Sequence, residues 1–221
     1  MINFFLKTFT LIFLLIGNSY AISSKQLTCE KTSEQIESYF EKNLGIIINI
    51  HFNNNIHRRG LSDGYNIWLR CLDDQQELTN ILIHEIGHNV HEQYFKPLSK
   101  VYPSNFKDFD EIIYKSNPLV NFLDISFSNE DQLKPNSLDI DFVSYYSKTD
   151  PFEDFAETFM MYFRYRNHLK SIAKPSIALR KKLNFMNLHF NEISEYKPNY
   201  TKPVLISSLI RTYDASLVHK K

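Results

Sequence analysis

Two histidines four residues apart, inside a segment whose apolar residues recur at helical spacing, constrain this chain more than any other feature. Leu78, Ile81, Leu82, Ile86 and Val90 line one side of a helix that opens at Asp73-Asp74 and runs to about Tyr94, and His84-Glu85-Ile86-Gly87-His88 lies inside it. At i and i+4 the imidazoles project from one face about 6 Å apart along the axis, so both can reach a single metal ion at roughly 2.0–2.1 Å. Glu85 is turned about 100° from His84, away from that ligand position. From there it can hydrogen-bond a metal-bound water and take its proton, which makes Glu85 the candidate general base. Zinc suits such a site, because it brings the pKa of its water toward about 7 and leaves the base little to overcome.

A catalytic zinc needs a third protein ligand and an open position. A second helix opens at Asp150-Pro151, where Asp is a good cap and Pro fits the first helical position; it runs through Phe155, Ala156, Phe159, Met160 and Phe163 to about His168. This helix carries Glu153 and Glu157, again i and i+4 on a largely apolar surface. Carboxylates that face a core have to be paired, hydrogen-bonded or on a metal. Glu153 is the first candidate ligand and Glu157 the alternative or its supporting partner, while Glu153 could instead complete a capping box with Asp150. His91 shares the face of His84 and His88 but lies about 10.5 Å along the axis from His84, too far for all three to hold one tetrahedral ion. His51, His57, His168, His189 and His219 have no partner at metal-ligand spacing.

Met1 to Lys7 carries a positive charge, Thr8 to Gly17 is apolar, and Ser19-Tyr20-Ala21 is of the kind a signal peptidase reads. Residues 1–21 therefore read as a cleaved secretory signal with its cut after Ala21, giving a secreted or periplasmic protein. The apolar run is well short of the roughly 20 residues of a spanning helix and no later segment approaches that length, so no stable membrane span is expected after cleavage. Residues 22–221 show neither an internal repeat nor a linker and read as a single domain. Lys and Arg number 25 and Asp and Glu 25, so no global charge points to nucleic acid, and Arg58-Arg59 and Arg180-Lys181-Lys182 read as short solvated runs. Cys29 and Cys71 both survive cleavage and are either a disulfide or two buried thiols. There is no Cys-x-x-Cys, and so no support for a redox or Cys-type zinc site.

Elsewhere, Thr32-Ser33-Glu34-Gln35 offers a capped start for a helix that Gly45 stops. Ile46 to Phe52 and Tyr65 to Leu69 read as strands, the latter either the edge strand that meets an extended substrate or an ordinary half-buried one. A helix is expected over Asp108 to Tyr114 within a long, otherwise irregular stretch to about Ser144 of the kind that forms lids or functional loops, and another from Pro175 to about Phe190. The class is α+β, with a small sheet and a mainly helical C-terminal half. Neither Gly-x-Ser-x-Gly nor a phosphate-cradling Gly loop is present, which removes serine-hydrolase and nucleotide-binding readings.

The two glutamate-bearing motifs together resemble those of the gluzincin metallopeptidases, most closely the branch that contains the lethal-factor catalytic domain and the Pro-Pro endopeptidases. That branch shows His-Glu-x-x-His on one helix and Glu-x-Phe-Ala-Glu on a later one; here they are His84-Glu85-Ile86-Gly87-His88 and Glu153-Asp154-Phe155-Ala156-Glu157. In the family the first Glu of the later motif binds zinc and a Tyr seven residues before it points into the site, a position held here by Tyr146 with Tyr145 as its near rival. The resemblance covers roughly Tyr65 to Phe163. It implies a zincin-like fold with a small mixed sheet packed on the active-site helix, Zn2+ on His84, His88 and Glu153, Glu85 as base, and Tyr146 as hydrogen-bond donor to the oxyanion. The function implied is a secreted zinc-dependent endopeptidase acting on a protein or peptide. Two other readings remain open on sequence alone: a zinc-bound, non-catalytic secreted binding or effector protein, and a metal-free structural protein.

Overall fold

The computed structural model describes residues 23–108 and 110–199; the expected signal segment lies outside them, as does His219. Helix α1 (Ser24–Leu44) is capped by the Ser23 side chain, which accepts from the Gln26 amide at 3.1 Å, and ends at Gly45, whose φ of 66° a β-carbon would disfavour. It starts eight residues before the expected capping box, because Cys29, Ser33, Ile36, Phe40 and Leu44 form one buried stripe that needs the extra turns. Cys29 is joined to Cys71 with Cα atoms 5.8 Å apart, so the two cysteines are a disulfide that ties α1 to the segment after the sheet.

The sheet has three strands in the order β1–β3–β2: β1 (Asn49–Phe52), β2 (Gly60–Ser62) and β3 (Asn66–Leu69). β1 runs parallel to β3 and β2 antiparallel to it, which makes the sheet mixed, as expected. β3 is the central strand and not an edge; the edges are β1 and β2, the latter a three-residue strand too short to leave a periodic signal. Helix α2 (Gln75–Gln93) carries the sheet. Asn89 and Gln93 reach up to it, with Ser62 Oγ donating to Asn89 Oδ1 at 2.5 Å and Gln93 Nε2 donating to the Gly64 carbonyl at 2.6 Å. Asp74, one of the two turn residues before the helix, caps α2 by accepting from the amides of Gln76 and Glu77.

The region between the two motif helices holds more regular structure than its sequence suggests. β4 (Pro103–Asp108) and β5 (Glu111–Tyr114) form an antiparallel hairpin where a helix was expected over Asp108 to Tyr114; Asp108 pairs with Glu111 and Lys107 with Ile112 across the turn. Helix α3 (Val120–Ser126), a small hairpin of β6 (Phe127–Asn129) and β7 (Gln132–Leu133), and two short 3-10 turns at Asp139–Asp141 and Tyr146–Lys148 follow.

Helix α4 (Pro151–Arg164) opens on Asp150, which accepts from the Phe152 amide at 2.6 Å. It ends at Tyr165 and not at His168, because the Tyr165 hydroxyl is drawn into a buried cluster with Gln76 and Asn80 of α2. Helices α5 (Arg166–Ala173) and α6 (Ile177–Phe190) complete the helical half. Phe40, Phe155, Phe159, Phe163 and Phe190 interlock with ring centroids 4.6–6.0 Å apart, and this aromatic core fixes α4 between α1 and α6. Lys182, expected on a solvated run, is fully buried: its ammonium lies 2.6 Å from Asp154 and 4.1 Å from the centre of the Phe142 ring. The architecture is α+β, as expected, with the small mixed sheet on α2 and a mainly helical C-terminal half.

Candidate metal centre

Helices α2 and α4 cross at two small residues. A β-carbon on Gly87 would stand 2.9 Å from the Ala156 Cα and 3.2 Å from its Cβ, so the middle of His84-Glu85-Ile86-Gly87-His88 has to be glycine for the second helix to come this close. That approach brings the carboxylates of α4 onto the imidazoles of α2. Glu153 Oε2 lies 3.1 Å from His84 Nε2 and 3.4 Å from His88 Nε2, and yet it is buried with no hydrogen bond made to it. Donor atoms held 2.0–2.1 Å from one tetrahedral ion lie roughly 3.3 Å from each other, so an acceptor orphaned between two ring nitrogens at these distances fits a zinc ion. Atoms of His84, Glu85 and His88 also fall within 4.8 Å of one another.

Glu157, the alternative ligand, points elsewhere. Its Oε1 lies 2.9 Å from His84 Nδ1 and its Oε2 accepts from the Ser144 hydroxyl at 2.5 Å, so it grips the far side of the His84 ring from a position with no solvent exposure. Burial alone would draw the His84 imidazolium down, but Glu153 and Glu157 on either side outweigh it and hold its pKa well above the usual value. Burial would likewise raise Glu153, and the two imidazoles reverse this to leave a strongly acidic carboxylate.

Glu85 faces the sheet. A β-carbon on Gly60 of β2 would stand 2.5 Å from Glu85 Oε1, so this edge glycine leaves the carboxylate its room. Burial raises the Glu85 pKa, against the opposing charges of His84, His88 and Arg58. Tyr146, on the turn before α4, donates its hydroxyl to Glu153 Oε1 at 2.8 Å; burial first, then the Glu153 charge, push the phenol well above its ordinary range. Its rival Tyr145 is half exposed and lies beside Lys148. The structure thus brings His84, Glu85, His88, Tyr146 and Glu153 together. Gly60, Gly87 and Ser144 carry no sequence motif of their own. Only Gly87, inside the histidine motif, offered any signal.

His91 is outside this group, one turn beyond His88. Its Nε2 lies 2.7 Å from Asp108 of β4 and 2.9 Å from Glu92, pinning the β4–β5 hairpin to the end of α2. Burial alone would lower His91, but Asp108 and then Glu92 outweigh it and hold the pKa at about 9; Asp108, against its own burial, is drawn down to about 2. The His91 contribution to stability is therefore complete below its ordinary value of 6.5 and fades as pH rises through about 9, while that of Asp108 is present above 3.8 and fades as pH falls through about 2. His91→Gln is expected to cost about 2 kcal/mol of unfolding free energy near pH 5–6 and much less above about pH 10, measured by urea denaturation across pH. A cost independent of pH would remove the ion pair from the account.

Among the described residues no helix is long and apolar enough to cross a membrane. No curated protein and no solved structure matches the chain. A family profile does match, over residues 72–217, a span that contains both motif helices. The chain belongs to the family described as "Putative zinc-binding metallo-peptidase".

Proposed function

We propose that this family member is an exported endopeptidase of the gluzincin type, with His84, His88 and Glu153 as zinc ligands, Glu85 as general base and Tyr146 as donor to the oxyanion. The observation that carries the reading is the orphaned Glu153 oxygen between the two imidazole Nε2 atoms. Bound zinc would polarise the scissile carbonyl and bring the pKa of a water toward about 7. The remaining work falls to the chain. Glu157 fixes the His84 ring by holding its far nitrogen, so that Nε2 stays aimed at the ion. Glu85, whose burial raises its proton affinity, takes a proton from the attacking water and passes it to the leaving amine. Tyr146 stays protonated over the whole working pH range and can turn its hydroxyl from Glu153 to the developing oxyanion.

The edge strand β2 supports a route for the substrate. Its Gly60 lies against Glu85, so an extended peptide added to its open side would pass in front of the base, with main-chain hydrogen bonds holding it. Export is supported by the apolar N-terminal segment and by the Cys29–Cys71 bridge, which persists in oxidising compartments. The test is cleavage of a broad peptide library by the zinc-loaded protein. Cleavage is expected, with activity abolished by 1,10-phenanthroline and restored by added zinc. A library left uncut by protein of confirmed zinc content would overturn the peptidase reading.

A further inference from the structure

The chain's zero net charge conceals a one-signed region. Thr158–Asn191 contains seven Lys and Arg and no Asp or Glu, although the whole chain balances 25 against 25. Three of the seven are spoken for inside the fold. Lys182 pairs with Asp154, Arg164 donates to Asn80 and to the Tyr196 carbonyl, and Arg166 donates to the Ile193 carbonyl. The other four, Lys170 and Lys174 of the α5 end and Arg180 and Lys181 of α6, are exposed and line one open groove between the two helices. Among the described residues none of the four has a carboxylate partner; Arg180 donates to the Lys174 carbonyl, which holds the two sides of the groove together.

Two exposed aliphatic side chains flank these charges. Ile177, Lys181, Asn184 and Leu188 fall at i, i+4, i+7 and i+11 and share one side of α6. On that side Ile177 is 66% and Leu188 79% exposed, one at each end of the basic stretch. Unpaired cations bracketed by protruding aliphatic side chains match a surface that is itself anionic outside and apolar just beneath. A soluble polyanion would satisfy the cations and leave both aliphatic side chains in water. We infer that the α5–α6 hairpin is a docking surface for an anionic lipid bilayer, with Lys170, Lys174, Arg180 and Lys181 against the headgroups and Ile177 and Leu188 entering the interface. The surface is independent of the metal centre, so the two readings stand or fall separately.

The test is sedimentation of the full chain with phosphatidylcholine vesicles and with vesicles enriched in phosphatidylserine. Binding to the anionic vesicles is expected to exceed binding to the neutral ones and to weaken as salt rises and the Debye length contracts from about 10 Å at 0.1 M to about 3 Å at 1 M. Lys170→Gln with Lys174→Gln is expected to weaken it about 25-fold, roughly five-fold per cation. Ile177→Ser with Leu188→Ser is expected to weaken it as well, and an unchanged urea unfolding midpoint serves as the check that each variant is folded. Equal binding to both vesicle types would overturn the inference. So would polyphosphate or polyglutamate binding as tightly as vesicles, or vesicle affinity unchanged by loss of the two aliphatic side chains.

Discussion

Glu85→Gln is expected to keep a full complement of zinc while kcat falls by about 10²–10⁴-fold, the range that a positioned acid–base group contributes. The amide has the shape of the carboxylate and should fit the same space beside Gly60, so the loss isolates the proton transfer from packing. Zinc retention decides a second question. Glu85 lies close enough to His84 and His88 to compete with Glu153 as the third ligand, and its removal would then release the ion. Full zinc with little turnover assigns Glu85 to the base; turnover at the wild-type rate would refute the mechanism.

The second large effect concerns the imidazole shared between two carboxylates. His84→Ala is expected to abolish zinc binding and, in chelator, to destabilise the metal-free protein by about 3–5 kcal/mol, the cost of removing one partner from a buried charged pair. Glu157 has no solvent exposure, and in this variant it loses the ring nitrogen 2.9 Å away. His88→Ala should also lose zinc but cost much less stability in chelator, because the His88 side chain is 16% exposed and, among the described residues, Glu153 is its one carboxylate at ion-pair distance, whereas His84 has two. Equal destabilisation by the two substitutions, read from urea denaturation without metal, would remove Glu157 from its role as anchor of His84.

Both helices that bear these residues were legible because their signals are local. The Asp73-Asp74 turn and the Asp150-Pro151 cap are start signals read within four residues, and the apolar spacing behind them is that of a helix packed on one side. What escaped the sequence depends on partners distant along the chain. Asp108 to Tyr114 reads as helix in the sequence, since only the backbone pairing of β5 with β4, and the His91–Asp108 contact that holds the hairpin, distinguish the two states. β2 is a strand because β3 and α2 make it one. The end of α4 is set by a hydroxyl reaching Asn80, 85 residues away. Whether Cys29 and Cys71 pair could not be read from two positions in a string; it required their Cα atoms to meet at 5.8 Å. Lys182 shows the limit of charge reading, for a run of three cations contains one that is wholly internal.

Within the candidate site, residue type and spacing were enough to single out His84, Glu85, His88 and Glu153, but they could not separate the duties of Glu153 and Glu157. One turn of helix places the two carboxylates on opposite nitrogens of the same ring, and only the direction of approach of α4, set at Gly87 and Ala156, decides which one faces His88.

The most direct measurement is a crystal structure of zinc-loaded protein with anomalous data collected at the zinc edge. A single strong peak is expected within about 2.0–2.2 Å of His84 Nε2, His88 Nε2 and an oxygen of Glu153, with one position left to solvent and Glu85 beside it. A peak coordinated by Glu85 or Glu157 in place of Glu153, or one seated at His91 and Asp108 with the first site empty, would contradict the account.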